Sequence, residues 1–411
     1  MKTLKTKVVI ALIFALFIFF FSNDFGLVDI DKTAIIVALA VDKGDSNPYE
    51  VTAEIAVPEA TDQNSETKNA QVTGRGDTIG EALKEVSDLT GWFPQLNFCN
   101  LIMISNDLST ENVIKILNYF AVTFRVQDSC LIAMSEGPAK NVLEDSSPLD
   151  DIASFAIQKI LLKQPGFDKN VLDNNVKDFC VSYYNPASSS YMPIISKQTV
   201  KESSSVKNGG KGQNGGSSSE SGQGDSSSNK SGNSANEKIV FSARRTALFK
   251  NGIKTGELSE SQTLALKILK YNVKGTTYPV EKIYIGKEEN QNYLLTILKN
   301  KAKIKVTPNA DKIDLDIQVD VFCKLSDTSG RTIDPSVAKN TPLPQEVQEA
   351  FKNKLTDEIF SLIDTSVNSN CDFLNIERNL YKYHQKDYYK FKDKYLSVLS
   401  PNVSVNVSGQ K

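Results

Sequence analysis

The first strongly patterned stretch of the chain predicts three β-strands. Residues 33–41 are apolar almost without a break, whereas residues 49–57 alternate between apolar and polar positions, with turn-forming residues 44–48 between them. A continuous apolar run is typical of a strand buried on both faces, and alternation is typical of a strand buried on one face. We therefore expect a hairpin whose first strand is the more buried, followed by a third strand near residues 71–74.

An amphipathic helix should follow this third strand. Thr78 and Glu81 have the spacing of a capping box, in which each side chain accepts a hydrogen bond from the other residue's backbone N–H. Gly91 is a favourable place for the helix to end, because glycine adopts the left-handed conformation easily. The residues expected on the buried face of this helix are Ile79, Ala82, Leu83, Val86 and Leu89.

Strands and helices continue to alternate after this helix. The pattern predicts strands near residues 98–104 and 130–134, a helix near residues 110–120 and another helix from Asp150. Apolar positions in the two helices recur at three- and four-residue spacing. This order of elements indicates an α+β layered domain.

Residues 201–238 interrupt the pattern with Ser, Gly, Asn and Lys, and Val206 and Ala235 are the only apolar residues among them. Such a segment cannot bury enough apolar surface to offset the entropy lost on ordering, so we expect it to be disordered. Its flanks, near residues 191–195 and 239–249, are β-like. This favours a long loop inserted between two strands of one sheet over a linker between domains.

The last part of the chain has strong local signals. Asn251-Gly252 between two β-like runs is typical of a two-residue hairpin turn, and a helix near residues 257–269 follows it. Further strands are expected at residues 280–285, 302–306, 312–322 and 403–407, with strict alternation in the third of them. A long helix should begin after Pro344, because apolar residues then recur every four positions. They are Val347, Phe351, Leu355, Ile359 and Ile363.

Together these elements predict an α+β fold with mixed, mainly antiparallel sheets and helices packed on one face of each sheet. Two to three domains should follow an N-terminal hydrophobic helix. The expected boundaries are a signal anchor or signal peptide at residues 1–27, an N-terminal α+β region of two subdomains at 28–200, the disordered loop at 201–238, and a C-terminal α+β domain with the long helix at 239–411.

The N-terminus has the pattern of a membrane signal. Lys2, Lys5 and Lys7 precede an apolar run at residues 8–21, an order that places the N-terminus inside and the body of the chain outside the cytoplasm. The run is shorter than the ~20 residues that span a bilayer comfortably, so it fits a cleaved signal peptide as well as a short anchor. We favour an uncleaved anchor, because residues 19–21 are bulky and signal peptidase prefers small residues.

Charge and cysteine content exclude several classes of function. The formal net charge of −2 is spread along the chain without a basic block, so no nucleic-acid partner is predicted. The five cysteines are far apart and form no C-x-x-C pair. Most of them lie beside apolar residues, which indicates small buried side chains, although the spacing leaves room for one disulfide.

The sequence contains no convincing catalytic, metal or cofactor motif. His384 is the only histidine and lies outside any nucleophile elbow, and glycine-rich residues 209–215 lack the GK[ST] ending of a P-loop. Residues 75–77 spell the Arg-Gly-Asp adhesion tripeptide, but three residues match by chance, and Asp77 is better explained as support for the helix that follows. We therefore predict a non-enzymatic protein without a cofactor.

Several ordered segments follow the pattern of one known family. Residues 31–43 have the form of its opening strand, residues 136–143 follow in its order, and residues 246–258 fit its A-x-F-k-x-x-x-x-x-G-x-L signature. The signature positions, all expected to be structural, are Asp42, Arg125, Ala247, Phe249, Gly256, Leu258 and Asp372. On these segments the chain resembles the C-subunit family of spore germinant receptors, the Ger(x)C-type spore germination proteins.

This resemblance implies a membrane-anchored subunit on the outer face of a spore-former's inner membrane. Such a subunit assembles with a transporter-like integral subunit and a second membrane subunit, supports the triggering of germination by nutrients, and has no catalytic residues. The chain departs from the family in lacking a lipidated cysteine after the signal, a glycine near Leu374 and a tryptophan in the last helix. The alternative is an extracytoplasmic cell-surface binding or adhesion module, and an extracytoplasmic hydrolase ranks third for want of catalytic residues.

Overall fold

The computed structural model describes most of the body of the chain. The described residues are Ile10, 12–14, 33–56, 69–122, 126–145, 147, 150, 152–162, 170–200, 238–285, 288–329 and 343–409. Most of the predicted membrane segment, its three flanking lysines, Arg125 and nearly all of the Ser/Gly-rich segment lie outside these residues. Within the described ranges, no helix combines the length and the apolar character that a bilayer crossing requires.

A sheet of nine strands, counted over the described residues, forms the first part of the body. Its strands are β1 (Thr33–Lys43), β2 (Tyr49–Ala56), β3 (Asn69–Gly76), β4 (Phe93–Gln95), β5 (Leu101–Ser105), β6 (Leu131–Ser135), β7 (Ser189–Val200), β8 (Lys238–Lys250) and β9 (Ile253–Leu258). Their order is β3-β2-β1-β5-β6-β7-β8-β9, and β4 pairs with the start of β1. The predicted hairpin and third strand are confirmed at one edge, while β1, β5, β6 and β7 pair in parallel at the centre.

Helices cover both faces of this first sheet. They are α1 (Ile79–Thr90), α2 (Ile114–Val122), α3 (Ala139–Leu143), α4 (Ala153–Leu161) and α5 (Val176–Tyr184). Helices α1, α2 and α5 share an apolar core with Ile36 and Leu39 of β1, whereas α3 and α4 pack with Ala38 and Ala40 on the opposite face. The expectation of helices on one face is therefore wrong here, because a sheet with parallel central strands buries both of its faces.

The second sheet has the one-sided packing that the sequence predicts. Its strands are β10 (Thr276–Ile285), β11 (Glu288–Asn309), β12 (Lys312–Thr328) and β13 (Leu399–Gly409), in that order, with the last pair parallel. The helices of this half are α6 (Glu260–Lys270), α7 (Gln345–Asn368), α8 (Ile376–Tyr383) and α9 (Gln385–Phe391). Alternate residues of β12 are buried, and all five apolar residues of the predicted long helix are buried along α7.

Three local predictions can be compared directly with the structure. Asn251 and Gly252 both have positive φ, 52° and 75°, as the predicted two-residue turn between β8 and β9 requires. At the start of α1, the Thr78 side chain accepts a hydrogen bond from the backbone N–H of Glu81, but the Glu81 carboxylate accepts from Asp77 and not from Thr78. The reciprocal capping box is therefore not formed there. Leu89, expected on the buried face, is exposed.

The strands on either side of the Ser/Gly-rich segment pair with each other. Strands β7 and β8 are antiparallel, with register from Ser189 opposite Lys250 to Val200 opposite Lys238. The segment between them therefore joins two neighbouring strands of one sheet. Its predicted disorder and the predicted domain boundaries stay predictions.

The two halves of the body meet just after α7. The Sγ atom of Cys371 lies 3.3 Å from the carbonyl oxygen of Phe249 in β8, and the backbone N–H of Asp372 donates to the Ser189 hydroxyl of β7 at 2.9 Å. Cys371 and Asp372 are both buried. These contacts hold the segment before α8 against β7 and β8 of the first sheet.

Candidate functional site

A polar cleft of about 390 Å³ lies where the first sheet meets the helices of the second half. Its walls come from the segment leading into α5 and α5 itself, from β7, from the end of α6 and from the start of α8. We call it the polar cleft and define it by Asp178, Asn185, Tyr191, Lys270, Tyr271 and Arg378. Carboxylates, carboxamides, phenols and cations all face it.

A lysine and two tyrosines form the centre of the polar cleft. The Lys270 Nζ atom lies 4.5 Å from the centroid of the Tyr191 ring, and the Tyr191 and Tyr271 hydroxyl oxygens are 3.0 Å apart. A cation over an aromatic face is stabilised by the ring quadrupole, which offsets part of the lost hydration. Burial lowers the pKa of Lys270 to about 8 and raises the pKa of both tyrosines.

Hydrogen bonds fix the opposite wall of the polar cleft. The Asn174 carboxamide donates to the carbonyl oxygen of Tyr191 at 2.6 Å, and its own oxygen accepts from the Asn175 backbone N–H at 2.9 Å. Asn175 is the N-cap of α5, and its side-chain oxygen accepts from the Asp178 backbone N–H at 2.7 Å. The polar groups of this wall are therefore held in position before any ligand arrives.

We expect the Lys270→Met variant to be more stable than the wild type by about 2 kcal/mol at pH 7, because methionine removes a desolvated ammonium and keeps most of the packed stem. The folded pKa of about 8 lies below the value of 10.5 for an unburied lysine. The unfolded chain therefore holds the proton more tightly. Burial of the charged Lys270 side chain lowers the free energy of unfolding by its full amount below pH 8, and this cost is gone above pH 10.5. The advantage of the variant should thus shrink between pH 8 and pH 10.

Urea unfolding midpoints at pH 7 and pH 10 check this prediction. The matched control is Lys274→Met, which removes an exposed lysine four residues later and should change neither midpoint. Equal midpoints for the wild type and the Lys270→Met variant at pH 7 would contradict the cost assigned to the buried ammonium.

Asp42 and Asp372, singled out by the family signature, each hold the start of a helix. The Asp42 carboxylate accepts from the backbone N–H groups of Ala139 at 2.6 Å and Lys140 at 2.9 Å, the first two residues of α3. Burial raises the pKa of Asp42 although these two hydrogen bonds act in the opposite direction. A partial positive charge at a helix start favours an anion at this position.

Asp372 performs the same task for α8. Its two carboxylate oxygens accept from the backbone N–H groups of Ile376 at 2.9 Å and Glu377 at 2.8 Å. Burial raises the pKa of Asp372 to about 6. Because Asn375, the N-cap of α8, and Arg378 of α8 line the polar cleft, Asp372 positions one wall of the cleft without lining it.

Three of the other signature positions lie in the packed interior. Ala247, Phe249 and Leu258 are fully buried, and the Phe249 ring packs edge-on against Phe179 with centroids 5.4 Å apart. A Cβ atom at Gly256 would lie 3.1 Å from the Cβ atom of Ser369, so the glycine permits a close approach of the two halves. The structure brings none of these residues to the polar cleft.

The described residues offer groups for binding and few for catalysis. No cluster of three or more His, Cys, Asp or Glu side chains that could hold a metal ion occurs among them. His384 lies between α8 and α9. The five cysteines are free and buried, as predicted for four of them from their apolar neighbours, and burial raises the pKa of Cys180 to about 11, which disfavours a nucleophilic thiolate. The polar cleft can hold a polar group of either charge through hydrogen bonds.

Comparison with known proteins identifies the family. The family described as "Spore germination protein N-terminal domain" matches residues 27–197, and the one described as "Spore germination B3/ GerAC like, C-terminal" matches residues 244–410. The chain belongs to the Ger(x)C family of germinant-receptor C subunits. The two matches leave out residues 198–243, which contain the Ser/Gly-rich segment.

One solved structure is similar to this Ger(x)C protein over most of its length. A solved structure, the crystal structure of the GerBC protein, is 15% identical in sequence and aligns over 90% of this chain and 96% of its own, with a TM-score of 0.49. No curated protein matches the sequence. The family is one of receptor subunits, and it is not a known enzyme family.

The sequence did not indicate the residues of the polar cleft. Lys270 falls near the end of the predicted helix at residues 257–269, where a lysine looks like an ordinary exposed residue that favours the helix C-terminus. Tyr191 lies 79 positions earlier and belongs to a strand that appears apolar. Only the tertiary structure brings the two together, so no local pattern could have paired them.

Proposed function

We propose that this Ger(x)C protein is a membrane-anchored, non-enzymatic subunit of a nutrient germinant receptor, and that it supports the triggering of spore germination. Residues 1–27 would hold the body on the outer face of the spore inner membrane. The observation that carries the proposal is the presence of both family domains, in order, on one chain. The lysine-flanked apolar run ahead of them supports the anchoring.

The partners that we propose are an integral, transporter-like receptor subunit and a second membrane subunit. Docking to such partners needs fixed surfaces more than reactive groups, and the polar cleft provides rigidly held charged and hydrogen-bonding side chains. Its lysine, arginine and aspartates suit a polar segment of a partner or a small polar solute.

Deletion of the gene in its own organism tests the proposal. We expect mutant spores to form in normal numbers and to lose nutrient-triggered germination, measured as the fall in optical density of a spore suspension, and the full-length gene to restore it. A germinant that bypasses nutrient receptors, such as a calcium–dipicolinate mixture, should still act on the mutant and is the control.

The alternative, a cell-surface binding or adhesion module, leads to the opposite result. Such a protein would leave germination unchanged after deletion and would be retained on a cell-wall or peptide ligand. Normal nutrient germination of the mutant would therefore reject the receptor role.

A further inference from the structure

Four large apolar side chains are exposed within ten residues of each other. Leu89 at the end of α1 is 63% exposed, Trp92 and Phe93 are 41% and 43% exposed, and Phe98 before β5 is 54% exposed. We call these four residues the apolar end surface. An exposed cluster of this kind indicates a surface that meets an apolar partner.

The topology places this surface at one end of the first sheet. Strands β1, β5 and β6 are parallel, so their first residues lie at the same end. Phe93 of β4 pairs with Thr33 at the start of β1, and Phe98 lies three residues before β5 begins. Val122, 69% exposed, ends the helix that leads back towards β6 and adds to the same end.

The stretch of chain that contains the apolar end surface carries no charge. The sequence has no charged residue between Asp88 and Asp107. Asp128 and Lys177, which lie near the start of β6, neutralise each other in an ion pair at 2.9 Å. Exposed aromatic rings on an uncharged stretch are suited to the boundary between lipid headgroups and acyl chains, where Trp is enriched.

The position of this surface along the chain points to the bilayer as its partner. The apolar N-terminal run ends at Phe21, and β1 begins at Thr33, the residue that pairs with Phe93. Twelve residue steps, fully extended, reach at most about 43 Å. The membrane anchor therefore joins the body at the end that carries the apolar end surface.

We propose that the apolar end surface of Leu89, Trp92, Phe93 and Phe98 inserts into the lipid interface and fixes the orientation of the body on the membrane. This inference rests on the proposed anchoring by residues 1–27. It adds a second membrane contact, which gives the body one defined face towards its receptor partners in place of free rotation about a single tether.

Trp92 is the only tryptophan in the chain, so its fluorescence reports on this surface alone. The full-length protein is reconstituted into phosphatidylcholine–phosphatidylglycerol vesicles with and without dibromo-phosphatidylcholine, whose bromine atoms quench nearby tryptophan. We expect the Trp92 emission to shift to the blue in vesicles relative to detergent, to lose most of its intensity with the brominated lipid, and to resist quenching by acrylamide.

Two variants make the experiment specific. The Phe93→Ser/Phe98→Ser variant keeps Trp92 and changes only exposed side chains, so it should fold, float with the vesicles and lose most of the lipid quenching. The matched control is Tyr389→Ser on α9, where the side chain is 72% exposed, and it should behave like the wild type.

The other outcomes overturn the inference in distinguishable ways. Vesicle-bound protein whose Trp92 is quenched by acrylamide and not by brominated lipid rejects the lipid contact and leaves the anchoring intact. Protection from acrylamide without lipid quenching means that protein covers the surface, which also rejects it. A chain that does not float with vesicles rejects both the anchoring and this inference.

Discussion

Replacing Gly74 by alanine is expected to lower the free energy of unfolding by about 3 kcal/mol, the upper range for overpacked interiors. Gly74 lies on β3, directly under α1. A Cβ atom there would run into the carbonyl oxygen of Ala82 and would lie 3.0 Å from the backbone nitrogen of Val86. These are backbone atoms, so the clash cannot be relieved by a change of rotamer, and α1 would have to move away from the sheet.

Urea unfolding of the full-length protein in detergent, followed by Trp92 fluorescence, measures this effect. Trp92 follows α1 by two residues and lies beside β4, so it reports on this part of the first sheet. The matched control is Gly137→Ala, because a Cβ atom at Gly137 would meet no atom within 4 Å. Its free energy of unfolding should change by less than about 0.5 kcal/mol. Equal shifts for the two variants would mean that the close packing of β3 and α1 is not what requires glycine.

Replacing Asp372 by alanine should also lower the free energy of unfolding by about 3 kcal/mol. The destabilisation should be largest in α8. The substitution leaves the backbone N–H groups of Ile376 and Glu377, both in buried residues, without their carboxylate acceptor. Since α8 supplies Arg378 to the polar cleft, its first turn should also become more accessible to hydrogen exchange. Alanine at Asp311, which is exposed, is the control and should be neutral.

The Asp372→Asn variant gives this prediction a pH dependence. Burial raises the folded pKa of Asp372 to about 6, above the ordinary value of 3.8. The folded protein therefore binds the proton more tightly than the unfolded chain does. The contribution of Asp372 to the free energy of unfolding is complete below pH 3.8 and is lost as the pH rises through 6. Asparagine does not titrate, so the deficit of the Asn variant relative to the wild type should be smaller at pH 7.5 than at pH 4. A deficit that grows between pH 4 and pH 7.5 would show that the charged form is the favoured one.

Elements with a strong local repeat were predictable from the sequence. The alternation along β12, the four-residue repeat of α7 and the Asn251-Gly252 turn each follow from the chain's own periodicity or conformational preference. Some predicted strands were too short. Strand β11 begins at Glu288, well before the expected start at residue 302. Helix and strand ends depend on tertiary partners, and local sequence carries little information about them.

The missed elements have physical reasons. Helix α5, with the sequence VKDFCVSYY, is rich in β-branched and aromatic residues that favour strands, and its packing against α2 overrides that preference. Helix α3 has only five residues, and its start is held by Asp42, nearly one hundred positions away. Leu89 fits the helical repeat of α1 and is exposed all the same, in the last turn of that helix. The polar cleft was beyond prediction for the same reason as α3, since its parts meet only in the folded chain.

The central claim is that this Ger(x)C protein acts at the membrane as part of a nutrient receptor. The most direct test is to measure germination of spores that carry the body of the protein without its anchor. The deletion strain is complemented with the full-length gene or with residues 28–411 expressed behind a cleavable secretory signal, and the fall in optical density after addition of nutrients is recorded. We predict that the full-length gene restores germination and that the unanchored body, exported in equal amount, does not. Restoration of germination by the unanchored body, or normal nutrient germination in the uncomplemented deletion strain, would contradict this claim.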